Sequence, residues 1–216
     1  LKITGSSSLD KDGNLQGEFL VTAEGQTDAA IRGMFTRDYM SEWNANLQAE
    51  LLRIDPKAEI LEMEYNDDPY DHMAAPISIR IKYRISDYAF VGQNEMAFIP
   101  LVANRLFSRG QSHLWLNTSM DEREYGFRDR TSHLVKLYET ISIPEGYKMA
   151  TNEIDQDFEG TAASYDGHLK QDGTIIEMEQ EIVMEKRIYE PGDWKDVKTA
   201  VEAQKEIADK PVILVK

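Results

Sequence analysis

The sequence contains no cysteine in 216 residues. Disulfides, thiolate zinc sites, iron–sulfur clusters and a cysteine nucleophile are therefore excluded from this stretch. Basic residues are outnumbered: 24 Lys and Arg stand against 39 Asp and Glu, a formal charge of −15. Nucleic-acid binding rests on cations that neutralise phosphates, so this balance opposes it. It equally opposes docking on an anionic membrane surface. No apolar run reaches roughly 18 residues, which excludes a membrane-spanning helix. Neither of the phosphate-cradling patterns G-x-x-x-x-G-K and G-x-G-x-x-G occurs, and there is no glycine-framed serine of the G-x-S-x-G type. The four histidines, His72, His113, His133 and His168, form no HxH or HExxH arrangement.

What the chain does have is enough apolar side chain, 41% with 9% aromatic, to fill a core. The length suits one large domain or two small ones, at roughly 100–200 residues each. The plainest strand is 77–86, where Ile77, Ile79, Ile81, Tyr83 and Ile85 alternate with polar residues. A strict period of two with β-branched residues on one side predicts an antiparallel sheet with one wet face. Val135, Leu137, Ile141 and Ile143 repeat the pattern. Gln171-Asp172-Gly173 separates two long extended runs and predicts a hairpin. On its returning strand Ile176, Met178, Ile182, Met184 and Ile188 face one way, while Glu177, Glu179, Glu181 and Glu185 face the other.

Helices are fewer. Met40, Trp43, Leu47, Leu51 and Ile54 recur at spacings of three and four, which predicts a helix over about 38–54. Asp55-Pro56 ends it, since the residue before proline leaves the α region. Residues 26–35 carry a weaker helical hint. Pro191-Gly192-Asp193 opens a last helix over about 194–208 with Asp193 as its cap, and Trp194, Val197, Val201 and Ile207 form its apolar stripe. The terminal Val212–Val215 run predicts a final strand. The fold class expected is thus α+β, predominantly antiparallel, and sandwich-like. It consists of two sheet-containing halves, 1–108 and 109–216, each with one packed amphipathic helix.

Sites are harder to read. The string from Asp10 to Asn14 looks metal-like, but an EF-hand needs Gly at its sixth position and Glu at its twelfth, where Leu15 and Val21 stand. It reads as a turn. Asp67, Asp68 and Asp71 supply hard oxygen ligands of the kind calcium takes, although acidic loops of this type are usually solvated turns. Carboxylate pairs suited to glycoside hydrolysis are expected by chance among 39 acids. Trp115, Tyr125 and Phe127 lie in a weakly patterned stretch and are candidates for stacking against a sugar or peptide. Their competing role is to plug the junction of the two halves. No catalytic residue and no cofactor is assigned.

The order of features in the second half carries a resemblance. A strand over Leu134–Ile143 runs into Pro144-Glu145-Gly146-Tyr147. After the long hairpin come Tyr189-Glu190-Pro191-Gly192-Asp193-Trp194, a short helix, and Val212-Ile213-Leu214-Val215. This resembles the C-terminal accessory β-rich region of bacterial transglutaminase-like, papain-type multidomain proteins. The first half, with Gly25-Gln26-Thr27-Asp28-Ala29 leading into a helix, is similar to the part that follows their central domain. The resemblance implies a non-catalytic module of a larger exported protein, periplasmic or at the cell surface, whose partner is a neighbouring domain of the same parent chain. The family's Cys-His-Asp machinery lies in the central domain and has no counterpart at any position here. A start at Leu1, inside an extended run, fits a piece of a longer chain or a mature form. The alternative function is a glycan- or peptide-binding β module that uses exposed aromatics or a free sheet edge.

Overall fold

The structure, a computed structural model, describes residues 1–66, 68–73, 75–111 and 114–216. β1 (Lys2–Leu9) and β2 (Leu15–Ala23) form the first hairpin. Its turn is closed by Asp10, whose Oδ1 accepts from the backbone N–H groups of Asp12 and Asn14, both at 2.9 Å. α1 (Gly25–Thr36) follows at once, so the helical hint over 26–35 becomes a full helix, and the first half carries two helices rather than one. The second, α2 (Trp43–Leu52), is shorter than expected. Met40 sits before it on a single 3₁₀ turn and is 71% exposed, whereas Trp43, Leu47 and Leu51 are buried as the spacing requires.

β3 (Ala58–Tyr65) and β4 (Ile77–Ile85) come next. They are followed by the short strands β5 (Phe90–Val91), β6 (Glu95–Phe98) and β7 (Phe127–Arg128). β8 (His133–Ser142) is long, β9 (Lys148–Met149) is short, and β10 (Ile154–Glu159) leads into the predicted hairpin. That hairpin is β11 (Ala163–Asp172) and β12 (Ile175–Met184). Its turn depends on Gly173, held at φ +59°, a region open to glycine at no steric cost. β13 (Ile188–Tyr189), α3 (Trp194–Ala208) and β14 (Val212–Val215) complete the chain.

Eight of these strands make one sheet in the order β10-β11-β12-β8-β1-β2-β4-β3. Every pairing in it is antiparallel except β1 with β8, which run parallel over seven residue pairs from Lys2↔Lys136 to Ser8↔Ser142. The two halves expected to meet near residue 108 therefore share a sheet, with β1 inserted between β2 of its own half and β8 of the other. A second sheet, β5-β6-β14-β9, joins the halves again, since β14 pairs with β6. β13 and β7 form a two-stranded ribbon. The fold class is α+β and rich in antiparallel sheet.

One face of the large sheet is buried, because its strands alternate apolar and polar residues with period two. Ile77, Ile79, Ile81, Tyr83 and Ile85 are all at most 1% exposed. α1 packs on β2 and α2 on β3 at one end, and α3 packs on β11 at the other. The middle is covered by irregular chain. Residues 99–111 place Val102 over Gly5, and Phe107 edge-on to Phe19 at 6.1 Å. The opposite face carries charged cross-strand pairs such as Lys82–Glu62 at 2.7 Å.

Candidate functional site

A cleft of about 710 Å³ lies between α1 and loop residues 69–73 and 75–76. Asp28 and Arg32 are one helical turn apart, so they stack on the same side of α1. Both are buried. Arg32 Nε donates to Asp28 at 3.1 Å, Nη1 donates to the Pro69 carbonyl at 2.8 Å, and Nη2 donates to the Ala75 carbonyl. Asp28 Oδ1 also accepts from the Ile77 N–H at 2.9 Å. The pair thus staples the loop to the helix through main-chain groups. Tyr70 donates to the Phe35 carbonyl at 3.3 Å and packs 5.7 Å from Trp43. The walls include Glu24, Thr36, Tyr70, His72, Met73 and Pro76, a mixed polar and apolar lining over an engaged ion pair.

Of the acidic candidates, Asp67 lies outside the described residues. Asp68 and Asp71 turn toward their own loop: each accepts a backbone N–H two residues on, from Tyr70 at 2.9 Å and Met73 at 3.0 Å. Among the described residues no group of three or more His, Asp or Glu is arranged to hold a metal. His133 stands 3.2 Å from Asp129, and His168 lies on β11. His113 lies outside the described residues.

The three aromatic candidates have three different settings. Trp115 is half-buried with the Arg105 guanidinium 3.9 Å from its ring centre. Tyr125 is 74% exposed and donates to Glu124 at 3.2 Å. Phe127 stacks on Tyr189 at 4.5 Å and stands edge-on to Trp194 at 6.0 Å. Arg123 fills the corner between Phe127 and Trp194, at 4.6 and 4.2 Å from the ring centres. Phe127 therefore anchors the 117–130 stretch to α3, and Tyr125 alone of the three presents most of its ring to solvent. Asp193 reaches backward rather than capping α3: it accepts from the Glu190 N–H at 2.9 Å and from Lys186 Nζ at 2.6 Å.

One buried carboxyl with a raised pKa is marked by no motif in the sequence. Glu139, on β8, points into the buried face and is fully covered. Ser7 Oγ donates to it through a short hydrogen bond and lies 2.8 Å from the Tyr83 hydroxyl. The Val102 N–H donates to its Oε2 at 2.9 Å. Burial pushes the carboxyl up to about 7, against the opposing pull of the hydrogen bonds from Ser7, Val102 and Leu101. Burial, and then the nearby Glu139, also raise the phenols of Tyr83 and Tyr88. The available signal was a gap: 139 is the inward position missing from the Val135, Leu137, Ile141, Ile143 series.

The family model described as "Domain of Unknown Function with solved-structure structure (DUF3858)" matches residues 95–214. That span opens in β6 and closes in β14, two strands paired with each other. A crystal structure named as a putative protease from Parabacteroides distasonis aligns with a TM-score of 0.47 and 16% identity. It covers 58% of this chain, which spans only 24% of that one. Among curated proteins none matches.

Proposed function

We propose that this chain, which belongs to the DUF3858 family, is a non-catalytic accessory module of a larger, exported transglutaminase-like protein. The observation that carries this reading is the state of the charged floor in the cleft beside α1. Arg32 has its guanidinium engaged by Asp28 and two loop carbonyls, so it supports the fold instead of facing a substrate. The carboxyl raised furthest, Glu139, lies in the interior and does not line the cleft described above. The transglutaminase-like assignment rests on the strand, turn and helix order over 134–147, 189–194 and 212–215. With no cysteine here, a papain-type nucleophile belongs to another part of the parent chain. The partner is then a neighbouring domain of that chain, in the periplasm or at the cell surface.

A second reading, capture of a glycan or peptide, draws support from the exposure of Tyr125 and from the cleft walled by Tyr70 and Met73. Calorimetric titration of this chain with the rest of its parent polypeptide tests the first reading. Saturable binding is expected, together with no turnover of casein or of an amine donor by this chain alone. Turnover by the isolated chain overturns the accessory role. Binding of oligosaccharides or peptides, with none to the parent polypeptide, selects the second reading.

A further inference from the structure

Glu139 stands where three pieces of chain converge. Its own strand, β8, belongs to the span matched by the family model, and so does the 99–111 strap that crosses the sheet. β1, which supplies Ser7, and β4, which supplies Tyr83, lie outside that span. The carboxyl thus bonds to the strap through the Val102 N–H and to the inserted strand through Ser7. Opposite it in register is Gly5 on one side and Met178 on the other. The titratable groups facing it are the phenols of Tyr83 and Tyr88, and Tyr88 donates to the Ile99 carbonyl at 2.7 Å, at the start of the strap. The strap's cations point elsewhere, Arg105 to Asp209 at 3.8 Å and Arg109 to Glu50 at 3.3 Å. Among the described residues no cation bonds to Glu139.

We infer that Glu139 is a protonation-dependent latch, which holds the 99–111 strap and β1 on β8 when neutral and loosens both when ionised. An unpaired charge in an apolar interior is costly, and opening the strap returns it to water. Opening is therefore linked to proton release. A group held at about 7 when closed and free to relax to the ordinary carboxylate range when open favours the open form as pH rises. In the neutral form, with the proton on Oε1, the Val102 N–H still donates to Oε2. Oε1 then donates to Ser7 Oγ, whose own proton turns to the Tyr83 hydroxyl, so both contacts survive with the Ser7 bond reversed. This device does not depend on the accessory role proposed above.

Hydrogen exchange on the whole chain tests it, with rates corrected for the intrinsic pH dependence of the amides. Between pH 5 and 8 the opening constant at Val102, Ala103 and Ser7 is expected to rise by one to two orders of magnitude, on the order of the linkage of a single carboxyl. In Glu139→Gln it is expected to stay flat over the same range. In Ser7→Ala, which keeps the carboxyl and loses a hydrogen bond that lowers its pKa, the midpoint is expected to move to higher pH. A flat profile in the unsubstituted chain, or an equal rise in Glu139→Gln, overturns the latch. Should the glutamine variant fail to fold, an unmoved midpoint in Ser7→Ala overturns it instead.

Discussion

Gly5 and Glu139 face each other across the parallel pairing of β1 and β8, and the side chain that one lacks makes room for the other. A β-carbon on Gly5 would stand 3.4 Å from Glu139 Cγ and 2.8 Å from Val102 Cγ2. The crowding involves a branched, buried side chain with no room to swing away. Gly5→Ala is therefore expected to cost about 1–3 kcal/mol, as overpacking of a filled core does. A urea midpoint unchanged from the parent chain would show that the strap yields freely.

The Asp28–Arg32 pair gives a second prediction. Removing one partner of a buried, hydrogen-bonded ion pair leaves the other uncompensated, at about 3–5 kcal/mol. Arg32→Met should show this loss in denaturant unfolding. Arg32→Lys should recover only part of it, because one ammonium cannot span Asp28 and the Pro69 and Ala75 carbonyls as the planar fork does. Cleavage within 69–76 by a limiting protease should rise in both variants. Full recovery by lysine would mean that charge alone matters.

Stability should depend on pH with a definite sign. Glu139 is held at about 7 against an ordinary 4.5, so between those values the folded chain binds more protons than the unfolded one. Its contribution is complete below about pH 4.5, falls as pH rises through 7 and is then flat, a change of about 3 kcal/mol. Asp193 acts oppositely: the hydrogen bond from Lys186 holds its carboxyl below the ordinary range, so its contribution disappears as pH falls. Glu139→Gln should flatten the neutral limb alone, and thermal unfolding across pH 4–9 checks this.

Gln204, fully buried on α3, has neither amide nitrogen nor amide oxygen in a hydrogen bond. An unsatisfied buried amide carries a desolvation cost that an apolar group of the same shape avoids. Gln204→Met is expected to stabilise the chain by about 1 kcal/mol, read as a higher denaturation midpoint. Destabilisation would reveal a polar partner for the amide, such as an internal water.

Asp193→Ala removes the acceptor for the Glu190 N–H and for Lys186 at the entrance to α3. A loss of about 1 kcal/mol is expected, typical of a helix-start cap. Asp193→Asn, which keeps an acceptor, should lose less.

What the amino-acid order determined by itself is local. The alternation over 77–85, the hairpin near Gly173 and the apolar stripe of α3 all follow from spacing and from a glycine suited to positive φ. Gln171 and Asp172, however, pair within the strand, the turn falls at 173–174, and the returning strand ends at Met184, leaving Ile188 exposed. The start of α2 was less legible, because Met40 has the spacing of the helix face but sits before the backbone becomes helical. Tertiary structure decided the rest. The parallel insertion of β1 beside β8 joins residues more than 130 positions apart, and no periodicity announces such a partner. Arg123 and Arg105 cover the rings of Phe127 and Trp115, so the accessibility of an aromatic depended on which cation folded over it. Glu139 left only an interrupted apolar series in the sequence. Its altered acidity arises because β1, β4 and the strap together exclude water from one carboxyl, and desolvation is a property of the assembled neighbourhood rather than of any one segment.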